Sequence, residues 1–205
     1  PRQRSEISEV FVRAAAEAGY PLNDDFNGAA QEGVGFYQLT QKKGRRWSSA
    51  RAYLHPIRQR PNLTIITSAL ASRVLFEGKR AVGVAYLARD GQTVELTARR
   101  EVLLSGGAIN SPQLLLLSGV GPRAELERHG IPLVHELPGV GQNLQDHLDI
   151  IVAHRDRRRA SYGFALSFLP RLLAGIVEYL RHGRGFLTSN LAEAGGFVKS
   201  DPALP

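Results

Sequence analysis

The chain has 205 residues, 43% of them apolar, which is enough for one large domain or two small ones around a folded core. Cysteine is absent, so disulfides, thiolate metal sites and cysteine nucleophiles are excluded. Lys and Arg outnumber Asp and Glu by 26 to 19, a basic balance that raises a polyanion as a partner.

The first element in chain order is a helix. Ile7, Val10, Phe11, Ala14, Ala15 and Ala18 recur at helical spacing after a capping Ser5, and Gly19 supplies the stop. From 20 to 60 the sequence is loop-rich, with a short helix expected from Ser49 and ending before Pro56. "NLTIIT" (62–67) reads as a strand. "RVLFEG", "RAVGVAYLARDG" and "QTVELTA" then read as an antiparallel meander, with Val94, Leu96 and Ala98 on one face. "EVLLS" (101–105) is continuously apolar, the pattern of a buried strand in a parallel sheet.

A helix is expected next, with Ser111 as its cap, Pro112 at its first position and Gly119 as its stop. "GPRAELERHG" (121–130) reads as a second short helix, "IPLVHEL" (131–137) as a strand and "PGVGQNLQDH" (138–147) as turns. Leu169, Leu172, Leu173, Ile176, Val177 and Leu180 mark an amphipathic helix with Pro170 in its first turn and Gly183 past its end. The tail reads as strands and turns. No transmembrane span or signal peptide is expected, because the two most apolar windows, 101–121 and 164–180, are broken by Gly, Pro and Arg.

Several stretches are candidates for chemistry. "GVGFYQ" (33–38), "GVGPRA" (119–124) and "GVGQNL" (139–144) imitate the dinucleotide fingerprint. Only "GVGPRA" meets even its relaxed form, and it follows a helix where a strand is needed. "SGGAINSP" is better placed, between a buried strand and a capped helix. Gly106, Gly107 and Ala108 would let a flat or phosphorylated ligand lie on the backbone, or would merely let helix and strand pack closely. His55, His129, His135, His147, His154 and His182 show no metal-ligand spacing. "DHLD" (146–149) is favoured as a polar corner over an acid–base site, and Arg45, Arg46 and Trp47 as surface over an anion clamp. The dense basic run, Arg155 with Arg157, Arg158 and Arg159, has no interleaved aromatics, so scattered surface charge is favoured and nucleic acid disfavoured.

At 101–147 the string becomes specific. "GAINSPQLLLLSGVGP" resembles the second signature of the glucose–methanol–choline (GMC) oxidoreductases, the flavoprotein family of choline dehydrogenase and related alcohol dehydrogenases. "GRRWSSARAYLHPIRQRPNLTIIT", "RVLFEGKRAVGVAY" and "LPGVGQNLQDH" agree with it in the family's order, over about residues 28–147.

The resemblance implies a mixed α/β (α+β) fold: part of an FAD-binding domain, with a parallel strand and an antiparallel meander, and part of an antiparallel-sheet substrate domain. Residues 1–60 would cover FAD and belong to the substrate domain, 61–147 to the FAD-binding domain and 148–205 to the substrate domain. It also implies that Ala71, where Val is more usual, lies by the adenine, and that Ser105, Gly106, Gly107 and Ala108 lie along the adenosine side of FAD. Gly107 follows Gly106 where "AGA" would be commoner, a change that keeps the space open.

The implied activity is oxidation of a primary alcohol, choline-like or aliphatic or aromatic, to an aldehyde by hydride transfer to flavin. The family's N-terminal fingerprint and its catalytic His segment match nothing here. Methionine is absent and residue 1 is Pro, so the chain is expected to be an internal, inactive fragment with no catalytic residue of its own. A non-catalytic binding module and a polyanion-binding domain are the alternatives. The expected location is cytoplasmic, with peripheral membrane association as a variant.

Overall fold

The first element of the chain is a helix with a defined cap: α1 (Glu6–Glu17) begins where Ser5 Oγ accepts the Ser8 N–H at 3.3 Å, and it ends at Ala18, followed by Gly19 at φ +96°. The computed structural model of the protein describes residues 3–154, 168–201 and 203. The basic run 155–159 lies outside the described residues.

The loop-rich stretch contains three short strands, β1 (Gly33–Phe36), β2 (Gln41–Lys42) and β3 (Arg45–Arg46). A π-turn at Ala50–Leu54 runs into a 3-10 turn at His55–Ile57, so the helical path continues through Pro56 rather than stopping before it. Proline is tolerated there because the first N–H groups of a turn have no intrahelical partner.

The meander follows as β4 (Leu70–Glu77), β5 (Arg80–Leu87) and β6 (Thr93–Thr97), then α2 (Gly107–Leu117), β7 (Val120–Gly121), α3 (Arg123–Arg128) and β8 (His135–Glu136). The chain closes with α4 (Leu169–His182), which has Pro170 in its first turn and Gly183 left-handed at its end, and with β9 (Ala194–Phe197).

Three sequence expectations change. Residues 63–67 and 101–105 have no regular secondary structure and Asn62 lies in a turn, so neither run forms the expected strand, and Ile65, Ile66 and Leu103 are exposed. An extended run becomes a strand only when another backbone completes its ladder, and no described segment does so for either run. Helix α2 starts four residues earlier than Ser111. Gly106 is the cap residue, and Ser111 lies in the second turn with its Oγ accepting the Gly106 N–H at 2.9 Å. The 119–121 segment stops α2 and also pairs as β7, parallel to β8.

The chain divides into two compact units, 1–63 with 152–205, and 64–151. In the first, β1 and β9 pair antiparallel, with Gly33 opposite Phe197 and Phe36 opposite Ala194. Phe26 packs on the pair, its ring 5.5 Å from Tyr37 and 5.2 Å from Phe197. Glu193 is buried in this unit: it takes the Ser5 N–H at 2.6 Å, Ser8 Oγ at 3.1 Å and Ser189 Oγ at 2.6 Å.

In the second unit the sheet order is β4-β5-β6, all antiparallel, around a core of Val74, Ala85, Val120, Leu126 and Val140. A bulge between Ala71 and Arg73 sets Ser72 aside, and its hydroxyl donates to the Ala85 carbonyl at 3.1 Å. Gly83 must be glycine, since a Cβ there would run into the Leu96 carbonyl. Fold class is therefore mixed α and β, built of small, mainly antiparallel sheets.

Candidate functional site

The second unit holds a cavity of about 380 Å³ between the start of β4, the run 102–106 that leads into the cap of α2, and one face of α2. Leu70 and Ala71 form one wall at the point where β4 pairs with Leu87 and Tyr86 of β5. Ser105 and Gly106 form the opposite lip, and Asn110, Ser111 and Gln113 of α2 contribute polar groups. Val84, Leu104, Leu114 and Leu117 supply apolar surface. No ionisable side chain lines this cavity. Apolar walls with a few hydrogen-bonding groups suit a flat, uncharged group, and none of the lining side chains is a general acid or base.

Two serines of α2 hold the walls in place. At the N-terminal end, Ser111 ties itself back to Gly106. At the C-terminal end, buried Ser118 accepts the Val74 N–H at 2.8 Å and donates to the Leu114 carbonyl. β4 is an edge strand of the sheet, and Ser118 satisfies one of its outward N–H groups, which fastens α2 to β4.

Of the residues singled out from the sequence, Ala71, Ser105 and Gly106 come together on the cavity. Gly107 and Ala108 lie on the first turn of α2, beyond its lining. Gly107 has φ +84° and a Cβ there would meet nothing within 4 Å, so its backbone angle and not lack of space calls for glycine. Gly106 differs: a Cβ would press on Asn110 Cβ at 3.1 Å and Ser111 N at 3.2 Å. Asn110, Gln113 and Ser118 were not singled out. Helical spacing from Ser111 would have flagged Ser118, since i and i+7 share a face.

The other candidates have local explanations. Gly35 and Gly119 are forced by close backbone approach, to the Asn23 and Pro132 carbonyls respectively. In "DHLD", Asp146 Oδ1 accepts the His147 N–H at 2.8 Å, a local bond on an exposed segment without regular structure. No group of three or more His, Asp or Glu fit to hold a metal occurs among the described residues. The half-buried Glu125 on α3 has a perturbed carboxyl: the hydrogen bond from Arg128, at 2.6 Å, holds it below the ordinary glutamate range.

Comparison with known proteins gives a consistent set of relatives. The family profile described as GMC oxidoreductase matches residues 1–149. The alcohol dehydrogenase (acceptor) of Pseudomonas putida is 59% identical over 197 residues, 96% of this chain and 36% of that protein. The oxygen-dependent choline dehydrogenase of Pseudomonas entomophila is 52% identical over 198 residues, 96% of this chain and 35% of that protein. Among solved structures, an FAD-dependent oxidoreductase from Chaetomium thermophilum superposes with a TM-score of 0.75 at 30% identity, covering 92% of this chain and 33% of that one. The chain spans about a third of the length of the curated relatives it matches.

Proposed function

Because the chain belongs to the GMC oxidoreductase family, we propose that it forms the adenosine-side wall of an FAD site in an enzyme that oxidises a primary alcohol to an aldehyde. The alcohol is choline-like, aliphatic or aromatic. The observation that carries this reading is the uncharged cavity bounded by Ala71, Ser105 and Gly106 beside the start of α2. Its lining fits the adenosine half of FAD in kind: apolar faces for a purine, with Ser105, Asn110 and Gln113 as hydrogen-bonding groups, and no carboxylate to repel a phosphate.

FAD, when bound, supplies the hydride acceptor. The residues of this chain bind and orient. Ala71 leaves room where a larger side chain would fill the wall, Ser105 and Asn110 offer polar contacts, and Ser118 keeps α2 against β4. We assign no catalytic base to residues 1–205. Residues 61–147 then belong to an FAD-binding domain, and 1–60 and 148–205 to segments that cover FAD and bind substrate. No described helix is long and apolar enough to cross a membrane. The reading carries a cytoplasmic location, with peripheral membrane attachment as the variant that cell fractionation separates from it.

The test uses the product of the complete reading frame that contains these residues. It should carry flavin absorbance and reduce a dye when supplied with a primary alcohol, and Ala71→Leu should lower its flavin content several-fold without loss of folded protein. A product with no flavin sinks the reading in favour of a non-catalytic interaction module. Full flavin loading in Ala71→Leu removes the cavity from it.

A further inference from the structure

The β2–β3 hairpin and the last turn of α4, both in the first unit, enclose a second concavity of about 590 Å³. Lys42, Lys43, Arg45, Arg51 and His182 line it together with the rings of Trp47 and Tyr179, and no Asp or Glu does. Its shape is fixed by backbone. Lys43 and Gly44 both turn at positive φ, 52° and 71°, and a Cβ on Gly44 would run into the Gly183 carbonyl, so the hairpin turn sits directly on the C-cap of α4. The Trp47 N–H donates to the Thr40 carbonyl at 2.8 Å, and Gln41 Nε2 donates to the Thr188 carbonyl at 2.6 Å.

Cations beside a helix C-terminus commonly offset its dipole, which accounts for His182 and one neighbour at most. It does not account for four Lys and Arg side chains converging from the hairpin and the π-turn. Among the described residues none of the four is paired with a carboxylate; Lys42 Nζ lies instead 4.9 Å from the centre of the Trp47 ring. Converging unpaired cations repel one another, and an anion seated among them relieves that repulsion. Arg45 and Arg51 carry the forked guanidinium that grips phosphate, and the aromatic residues Trp47 and Tyr179 stand in the same lining, where a planar group could pack.

We propose that this concavity is a binding site for a small phosphate ester with a planar organic body. Its size lies within the range of roughly 300–1,000 Å³ common for ligand sites. The proposal does not depend on the flavin reading, because it uses another unit and other residues.

Trp47 is the only tryptophan in the sequence and stands in the wall, so its fluorescence reports occupancy directly. The full 205-residue chain is titrated with AMP, adenosine, inorganic phosphate and vesicles containing phosphatidylglycerol, at low and at moderate salt. AMP should change Trp47 emission saturably, bind at least tenfold more tightly than adenosine and more tightly than inorganic phosphate, and weaken as salt rises. Arg45→Glu and Arg51→Glu should each weaken AMP at least tenfold, whereas Arg58→Glu, an exposed cation outside the concavity, should not. Circular dichroism establishes that each variant is folded, and Arg45→Ala replaces any charge reversal that is not. Equal affinity for AMP and adenosine, a response confined to vesicles, or full AMP affinity in folded Arg45 and Arg51 variants would overturn the proposal.

Discussion

Removing the Ser118 hydroxyl, as Ser118→Ala, isolates the bond that fastens α2 to the edge of the meander. Ser118 Oγ lies 2.8 Å from the Val74 nitrogen, with Ser118 8% exposed and Val74 5% exposed, so water cannot replace the lost acceptor. The Leu114 carbonyl, which receives the hydroxyl proton, keeps the Ser118 N–H at 3.1 Å and adds little to the loss. The cost is that of one buried, unpaired N–H, about 1–3 kcal/mol. Ser111→Ala is the matched control: its Oγ accepts the Gly106 N–H at a similar 2.9 Å, but Gly106 is exposed and water takes over, so that change should stay within about 0.5 kcal/mol. Urea unfolding of the full chain, followed by circular dichroism, measures both variants, and amide exchange at Val74 should lose protection only in Ser118→Ala. If the two substitutions cost the same within about 0.5 kcal/mol, burial does not decide the strength of these bonds and the anchoring role of Ser118 is refuted.

Two further outcomes follow from polar groups in the structure. Glu193→Ala removes an acceptor shared by the Ser5 N–H, Ser8 and Ser189, at the start of α1, where a carboxylate also complements the helix dipole. The first unit should lose about 1.5–3 kcal/mol and α1 should fray first, seen as early amide exchange there; unchanged exchange in α1 would contradict it. Glu125 is held below its ordinary range chiefly by Arg128, so its folded value is depressed and its stabilising contribution is fully present above the ordinary glutamate range. That contribution fades as pH falls through the lower folded value. In an NMR titration Arg128→Ala should move the Glu125 midpoint upward, and an unmoved midpoint would assign the shift elsewhere.

Helices α1 and α4 were legible because their signals are local, whereas Ser111 and Pro112 misplaced the start of α2. Ser5 and Gly19 bracket α1, and Pro170 and Gly183 bracket α4, each cue acting within one turn of the boundary it marks. The meander was legible for the same reason, since its turns lie at Gly78 and Gly91, both at positive φ, and neighbouring strands pair. The runs 62–67 and 101–105 carry equally strong β-branched or apolar patterns, yet no ladder forms, because a strand needs a partner that its own sequence does not specify. Glu193 carried no signal, as its partner Ser5 is 188 residues away. Lys42 and Arg45 joined Arg51 and His182 only when the hairpin turn met the end of α4.

The same limit explains why the candidate cavity was half legible. A small residue in a sequence reads as room for a ligand, but Gly106 and Gly107 are small for reasons that concern the chain itself. Gly106 lets Asn110 and Ser111 close over the helix start, and Gly107 adopts a left-handed angle in open space. Ala71 and Ser105 are the small residues that leave volume between β4 and the 102–106 run, and neither would have been separated from the glycines by composition. Residue size thus pointed to the turn of chain that lines the cavity, whereas the division of labour within that turn depends on φ at Gly107 and on the Asn110 and Ser111 atoms that a Cβ on Gly106 would meet, neither of which residue size encodes.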